Sequence, residues 1–353
     1  MINFYSSDYK KYLPIAIVIF LVFLALAFVY PGVKYGIDLK GGTNIIIKSK
    51  IPLEANKIEG ILKEKYPLTE LQVASVSSPL DNGLMIQFSE NTDIAAARAL
   101  VASAKASLES NPNGAKQQAL EAIEISSKYA QAPEVTGLDA ESTVQVAEAF
   151  FIEAESEFKI GLQNTIKSTY GLGDDLAISV GEIGPSLGER FFALAIQASL
   201  VAFILIIIVI FLFFREIVPS IAIVAAAVFD IAGSLALMAV FQIPISLATI
   251  PALLMLIGYS VDTDVMLTTR VLKRREKTPV ERANDSMITG LTMTMTTLAA
   301  LTAMLVLSYF VQIQVVFEIS AVLFFGLLAD LISTWFMNGP VLISYAEKKE
   351  AKR

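Results

Sequence analysis

Residues 257–275 read IGYSVDTDVMLTTRVLKRR, an apolar stretch that holds two carboxylates and ends in a block of basic residues. An ionised Asp at bilayer depth costs about 2.5–3.5 kcal/mol. Asp262 and Asp264 should therefore be paired, carry protons or line a wet cavity. The stretch is typical of a polar functional site inside a membrane span.

The composition is that of a polytopic membrane protein. The 353-residue chain is 55% hydrophobic and 17% charged. It contains no histidine and no cysteine, which removes disulfides, thiolate nucleophiles and the commonest metal ligands. No GxxxxGK[ST] nucleotide-binding motif occurs. We therefore expect no enzymatic activity, no metal and no cofactor, and we expect any proton transfer to use Asp or Glu.

Six apolar stretches approach the length of a spanning helix, about 20 residues. They are residues 12–30, 191–214, 218–241, 246–267, 288–310 and 315–336. The predicted fold class is a six-helix membrane protein with an exterior α+β domain between spans 1 and 2. The predicted domains are an N-terminal segment with span 1 (1–30), the exterior domain (31–190), a five-helix membrane domain (191–343) and a basic tail (344–353).

Basic residues in the short loops predict the orientation. Lys10 and Lys11 precede span 1 and six basic residues lie in 270–282, whereas the loops at 242–244 and 311–314 have none. This pattern places both termini in the cytoplasm, makes span 1 a retained anchor in the cytoplasmic membrane, and places the large domain outside. That domain has 14 basic and 22 acidic residues, which argues against nucleic-acid binding.

The exterior domain has a β-α-β-β pattern followed by a final strand. Strands are predicted at 44–48, 72–77, 84–89 and 177–182, a helix at 52–65, and a turn at Asp81, Asn82 and Gly83. This order predicts a ferredoxin-like fold. An Ala- and Glu-rich insert at about 92–170 is broken near 111–114 and 133–137, which predicts two or three helices of unassigned role.

Two glycine motifs flank the exterior domain. In GIDLKGGT, glycine would allow positive φ or close backbone approach, and Asp would bond local amides, in a turn that enters the first strand; the residues are Gly36, Asp38, Gly41 and Gly42. A phosphate cradle is disfavoured because no helix follows the glycines. In VGEIGPSLG, residues 180–188, we predict a hinge at Gly184, Pro185 and Gly188.

Together with the segment at 257–274, these two motifs resemble those of the SecD/SecF family, accessory membrane subunits of the Sec protein-export machinery. The span 4 motif is most similar to SecF, of the archaeal type. The resemblance implies a SecD-like partner, the Sec translocon and preproteins as contacts, and use of the proton gradient. The related efflux transporters have twelve spans, so a second chain would supply the other six.

The chain departs from the bacterial SecF pattern at two places. Bacterial relatives have Asn-Asp-Thr where this chain has Asp262, Thr263 and Asp264. They also carry an arginine near the start of span 5, where this chain has Thr289. The proton relay of the bacterial relatives therefore cannot be transferred residue by residue.

The carboxylates nevertheless predict a three-helix acidic cluster. At 1.5 Å per residue, Asp262 and Asp330 lie about 7 and about 6 Å to the cytoplasmic side of their span midpoints, and Asp230 lies near the middle of span 3. Asp262 and Asp264 are about 200° apart on an unbroken helix, so either one faces a different neighbour or Gly258 loosens the helix. Acids without a basic partner should exchange protons near neutral pH.

Other polar residues of the membrane domain have two interpretations each. Span 5 carries a threonine stripe that either bonds its own helix, which we favour, or lines a proton path; it comprises Thr289, Thr292 and Thr296. A basic group either fixes topology and contacts anionic lipid, which we favour, or contacts a translocon or ribosome; it comprises Arg270, Lys273, Arg274 and Arg275. Glu318 is expected to extend to the membrane interface.

Three functions fit these patterns. The first is a SecF-like export subunit in which protonation of Asp262, Asp264 and Asp330 is coupled to movement of the exterior domain. The second is a proton-driven exporter of small molecules or lipids. The third is a passive subunit that stabilises the translocon without using the gradient.

Overall fold

The computed structural model of the chain describes residues 4–5, 8–49, 53–77, 82–171, 178–183, 185–274, 276–311 and 313–351. These residues form two compact units. The helical unit comprises Met1–Leu39 and Gly188–Arg353, and the sheet unit comprises Lys40–Leu187.

The chain begins in the helical unit, passes through the sheet unit, and returns to the helical unit. A 3₁₀ turn, Tyr9–Lys11, precedes α1, and a π-helical turn, Ser333–Asn338, separates the last two helices. The others are α1 (Tyr12–Phe28), α2 (Ile37–Lys40), β1 (Gly42–Ser49), α3 (Ala55–Lys65), β2 (Gln72–Ser77), β3 (Asn82–Phe88), α4 (Thr92–Ser107), α5 (Pro112–Ser126), α6 (Ala140–Tyr170), β4 (Ile178–Ile183), α7 (Pro185–Phe214), α8 (Ile217–Val240), α9 (Thr249–Lys273), α10 (Pro279–Val311), α11 (Gln314–Ile332) and α12 (Gly339–Ala351).

The sheet unit has a four-stranded antiparallel sheet in the order β2-β3-β1-β4. Ile45 of β1 pairs with Ile86 of β3 and with Val180 of β4. This is the strand order of the predicted ferredoxin-like fold, with β1 and β3 in the centre. The core lies between the sheet and the helices, where Ile45, Leu84 and Ile86 are buried with aromatic and alanine side chains of α4–α6.

Polar caps set the bounds of the three helices between β3 and β4. The side chain of Asn91 accepts backbone N–H groups at the start of α4, Asn111 does so for α5, and Asp139 does so for α6. Gly171 ends α6 with a left-handed backbone. The breaks near 111–114 and 133–137 were therefore predicted correctly.

Two details of the predicted sheet unit were wrong. Asn82 and Gly83 are paired residues of β3 and not a turn, since Asn82 lies opposite Ser77. Asp81, also assigned to that turn, lies outside the described residues. The helix predicted from residue 52 begins at Ala55; residue 52 itself is not among the described positions.

Within the described residues, the helical unit has six helices long and apolar enough to cross a membrane. Their packing is unequal, because 61% of the most apolar window of α8 is buried and only 6% of that of α7. Among the described residues, α8 therefore forms the centre of the unit and α7 leaves most of its surface free for lipid or another protein.

Two spans are longer than hydropathy predicts. Helix α10 begins at Pro279, nine residues before position 288. Thr278, just before the helix, and Glu281, in its first turn, form a reciprocal capping box that fixes this start. The last span continues beyond residue 336 through the π-helical turn into α12.

Candidate functional site

Three carboxylates from three helices are buried together in the helical unit. Asp230 of α8 and Asp264 of α9 are 0% exposed, and Asp330 of α11 is 1% exposed. We refer to these three residues as the carboxylate cluster. The predicted three-helix grouping is present, with Asp264 rather than Asp262 as the contribution of α9.

Hydroxyl groups connect the members of the carboxylate cluster. Ser260 and Ser333 donate to the two oxygens of Asp230, at 2.5 and 2.6 Å. Thr334 Oγ1 lies 3.0 Å from Asp264 Oδ1 and 3.1 Å from Asp330 Oδ1. The second oxygen of Asp264 and that of Asp330 have no hydrogen-bond partner among the described residues. Asp230 is thus satisfied as an acceptor, whereas Asp264 and Asp330 share one hydroxyl.

The π-helical turn places the bridging groups. It begins at Ser333, three residues after Asp330, and presents Ser333 and Thr334 to different carboxylates. π-Helical turns are rare in proteins, and those that occur often lie at functional sites. Asn338, at the end of the same turn, is buried beside Asp264.

The described part of the chain places no lysine or arginine in an ion pair with the carboxylate cluster. Arg270, one turn and a half beyond Asp264 on α9, donates instead to Thr289 Oγ1 at 2.8 Å. No set of acidic side chains among the described residues has the arrangement of a metal site. Within the part of the chain that the structure describes, the carboxylate cluster therefore has no counter-ion.

Asp262 lies apart from the carboxylate cluster. Helix α9 is unbroken through Gly258, and Asp262 is exposed while Asp264 is buried. This is the outcome expected when two side chains on one helix point about 200° apart. Of the two alternatives, the one in which the carboxylates face different neighbours applies.

The threonine stripe makes mostly local contacts. Thr292 donates to the carbonyl of Ile288, and Thr296 donates to that of Met293, each at 2.8 Å. These bonds are the common behaviour of threonines on a membrane helix. Thr289 differs, because it accepts from Arg270.

The GIDLKGGT segment is hydrogen-bonded to the loop between α8 and α9, and we refer to this connection at Gly36 and Ile245 as the anchor. The N–H of Gly36 donates to the carbonyl of Ile245 at 2.6 Å, and the N–H of Ile245 donates to the carbonyl of Lys34 at 2.8 Å. A Cβ on Gly36 would lie 3.2 Å from that Ile245 oxygen, a tight contact that a small shift of the loop would relieve. Gly41, with φ of 84°, then leads into β1, whose first residue, Gly42, has φ of 154°.

Asp38 lies beside the loop between α8 and α9, and its bonding to local amides stays a prediction. The backbone N–H of Leu247 lies close to the Asp38 carboxyl. Burial raises the pKa of the Asp38 carboxyl, and the Leu247 N–H offsets part of this effect.

Glu318 is buried and does not extend to the interface, which corrects the prediction. It is 4% exposed, and it accepts from Ser246 at 2.5 Å and from Gln314 at 2.8 Å. The loop between α8 and α9 therefore joins Glu318 of α11 to the segment that leads towards β1.

The other predicted positions fall in helices or outside the described residues. Pro185 and Gly188 are part of α7, and Gly184 lies outside the described chain. Arg270 and Lys273 are in the last turn of α9, and Arg274 follows it. Arg275 lies at a position that the structure does not describe.

Sequence reasoning missed the bridging residues. Ser260 lies one turn before Asp264, and Ser333 and Thr334 follow Asp330 by three and four positions. A hydroxyl at helical spacing from a membrane carboxylate was the available signal. The π-helical turn and the contacts of Asn338 have no comparable signature in the sequence.

Comparisons with known proteins agree with this architecture. Residues 163–348, more than half of the chain, match the family "Protein export membrane protein SecD/SecF, C-terminal". The structure resembles SecDF from Thermus thermophilus, described as a translocon-associated membrane protein, with a TM-score of 0.57 at 15% identity. That match covers 96% of this chain and 59% of the other, and at this identity it supports the fold alone.

Curated relatives named protein-export membrane protein SecF are more similar in sequence. The relative from Pyrococcus furiosus is 49% identical over 170 residues, which are 48% of this chain and 56% of that protein. The relative from Haloquadratum walsbyi is 38% identical over 231 residues, 61% of this chain and 79% of that protein. The chain thus spans little more than half the length of the Pyrococcus relative. By these matches the chain belongs to the SecD/SecF family of protein-export membrane proteins.

Proposed function

We propose that this chain is a SecF-like accessory subunit of the Sec translocase that assists export of preproteins across the cytoplasmic membrane. In this proposal it pairs with a SecD-like partner beside the translocon and uses the proton gradient. The observation that carries the proposal is a buried carboxylate cluster without a counter-ion among the described residues, in a chain of the SecD/SecF family.

The hydrogen count at Thr334 supports a proton on the carboxylate cluster. A threonine hydroxyl has one hydrogen to donate, and an ionised carboxylate can only accept. When both carboxylates are ionised, the Thr334 hydroxyl can donate to only one of them, either Asp264 or Asp330. With one of them protonated, that acid donates to Thr334 Oγ1 and Thr334 donates to the other, so both contacts of Thr334 become hydrogen bonds. Asp264 and Asp330 would then exchange one proton through Thr334.

The partner would cover the exposed face of α9 and α10. This face carries Asp262 and Tyr259 on α9 and Thr292 and Thr296 on α10. A carboxylate left facing lipid would cost about 2.5–3.5 kcal/mol, so we place the SecD-like partner here. Asp262 would thus lie at the subunit interface, outside the carboxylate cluster.

The orientation that we propose has both termini in the cytoplasm and the sheet unit outside. It is supported by the basic residues between α9 and α10 and by the uncharged loop between α8 and α9. In this orientation the anchor lies at the outer surface. Movement of the exterior domain would then occur beyond the anchor, at Gly41 and Gly42.

A cysteine placed at Asn113 tests the export function. Asn113 is exposed at the start of α5, and the chain has no native cysteine. A crosslinker on this cysteine should capture a preprotein arrested during export, and a cysteine at exposed Lys10 in the proposed cytoplasmic segment should not. Capture of preprotein from neither position, or equally from both, would argue against the proposal.

A disulfide between positions 36 and 246 tests the anchor as a fixed pivot. A Cβ on Gly36 would lie 3.6 Å from Ser246 Cβ, within the range of about 3.5–4.5 Å that disulfides adopt. We expect the Gly36→Cys/Ser246→Cys variant to form the bond on oxidation and to retain its gradient-dependent export, measured against the same protein after reduction. The single variants control for loss of the Ser246–Glu318 bond. Export that fails when oxidised and recovers on reduction would show that the anchor must open.

A further inference from the structure

A basic pocket lies where α9 and α10 are joined, at the end of the helical unit that holds the N-terminal segment. It is a cavity of about 130 Å³ with four basic and two acidic residues in its lining. We refer to it as the basic pocket; its lining residues are Arg270, Arg274, Lys277, Arg282, Glu276 and Asp285.

Part of its positive charge is uncommitted. Lys277 is paired with Asp285 at 2.6 Å, and Arg282 is paired with Glu350. Arg270 donates to the neutral hydroxyl of Thr289, and neither it nor Arg274 forms an ion pair within the described chain. These two guanidinium groups are therefore available to bind an anion in the pocket.

Arg282 gives a second and independent indication of a ligand. This guanidinium is 4% exposed, donates to the Arg274 carbonyl and to Glu350, and keeps Nε without a hydrogen-bond partner among the described residues. A buried charged donor left unsatisfied is costly. An acceptor in the pocket would remove that cost.

The neighbouring cavity distinguishes a lipid from a free anion. It has a volume of about 310 Å³ and shares Lys277 and Arg282 with the basic pocket. One wall is apolar, and Lys349 and Glu350 complete the lining; the apolar wall consists of Val271, Leu272 and Ala346. A basic site that adjoins a cavity with one apolar wall suits an amphiphile. Lys273, whose ammonium lies 4.7 Å from the ring centre of Phe213 at the end of α7, is placed as a residue at a membrane surface.

We propose that the basic pocket binds the phosphate group of an anionic lipid, with Arg270, Arg274 and Arg282 as donors. Guanidinium groups bind phosphate through paired, charge-assisted hydrogen bonds. The apolar wall of the adjoining cavity receives the part of the lipid that follows the phosphate.

Native mass spectrometry of the full-length protein in detergent, titrated with phosphatidylglycerol, tests this site. We expect the Arg270→Gln/Arg274→Gln variant to bind roughly thirtyfold more weakly, since each basic residue near an anionic lipid contributes about 1 kcal/mol. The matched control is Lys10→Gln/Lys11→Gln, which removes two exposed basic residues from the same end of the unit. Its affinity should change less than about twofold, because neither residue lines the pocket.

Four results would overturn the proposal. The first two are unchanged binding in the arginine variant and an equal loss of binding in the lysine control. The third is complete release of phosphatidylglycerol by inorganic phosphate, which would indicate a free-anion site. The fourth is loss of a bound protein subunit from the arginine variant without any lipid binding, which would indicate that the pocket takes an acidic peptide. If the double variant does not fold, Arg274→Glu provides the same comparison, because Arg274 is exposed and unpaired in the described chain.

Discussion

The Asp264→Asn/Asp330→Asn variant is expected to lose the part of preprotein export that depends on the proton gradient. Asn keeps the size of Asp but cannot exchange a proton, and these two acids share the Thr334 hydroxyl. A proton that crosses 100 mV supplies about 2.3 kcal/mol, equivalent to a roughly fiftyfold effect. The stimulation of export by an imposed gradient, measured in membrane vesicles, should fall towards none.

Asp262→Asn is the matched control for this variant. It makes the same chemical change two residues away on α9, but at an exposed position outside the carboxylate cluster. We expect this variant to keep gradient-dependent export in vesicles that contain the partner. Gradient-dependent export that is unchanged in the double variant would exclude proton coupling through the cluster and would favour a passive subunit.

The grouping of the three carboxylates could be predicted because depth follows from counting. A helix rises 1.5 Å per residue, so the positions of Asp230, Asp262 and Asp330 along their spans are a property of the sequence, and Asp264 lies within one turn of Asp262. The separation of Asp262 from Asp264 follows from the same geometry. Membrane length and helical pitch are enough for both conclusions.

The partners of these carboxylates could not be predicted because they depend on the rotation of each helix about its axis. Ser333 donates to Asp230 of another helix, and Thr334, on the same π-helical turn, reaches Asp264 of a third helix as well as Asp330. The burial of Glu318 has a similar origin, since its partner Ser246 lies 72 positions away in a loop. Hydropathy carries no information on such contacts.

Helix α11 contacts the loop of the anchor near one end and carries a member of the carboxylate cluster near the other. Helix α11 bears Glu318 near its start and Asp330 near its end. Glu318 bonds Ser246, which follows Ile245 of the anchor. A change of charge at Asp330 that shifts α11 along its axis would therefore act on the anchor through one hydrogen bond, which gives the proposed coupling a short physical route.

The Trp335→Ala variant is expected to show the largest loss of stability in the helical unit. Trp335 is the chain's single tryptophan, is 1% exposed, and accepts a hydrogen bond from the Tyr5 hydroxyl on its backbone oxygen at 2.6 Å. Removal of a buried Trp side chain costs about 3–5 kcal/mol. Unfolding of the purified chain, followed by circular dichroism, measures the loss.

A pair of glycine variants separates the packing of Trp335 from general effects on the spans. A Cβ on Gly290 would lie 2.6 Å from the Trp335 ring, whereas a Cβ on Gly258 would meet nothing within 4 Å. Gly290→Ala should therefore cost about 1–3 kcal/mol through overpacking and shift the emission of the single tryptophan. Gly258→Ala should leave that emission unchanged and be neutral or stabilising by about 0.5–1 kcal/mol. Equal behaviour of the two variants would contradict the close contact between α10 and the π-helical turn, on which the positions of Ser333 and Thr334 depend.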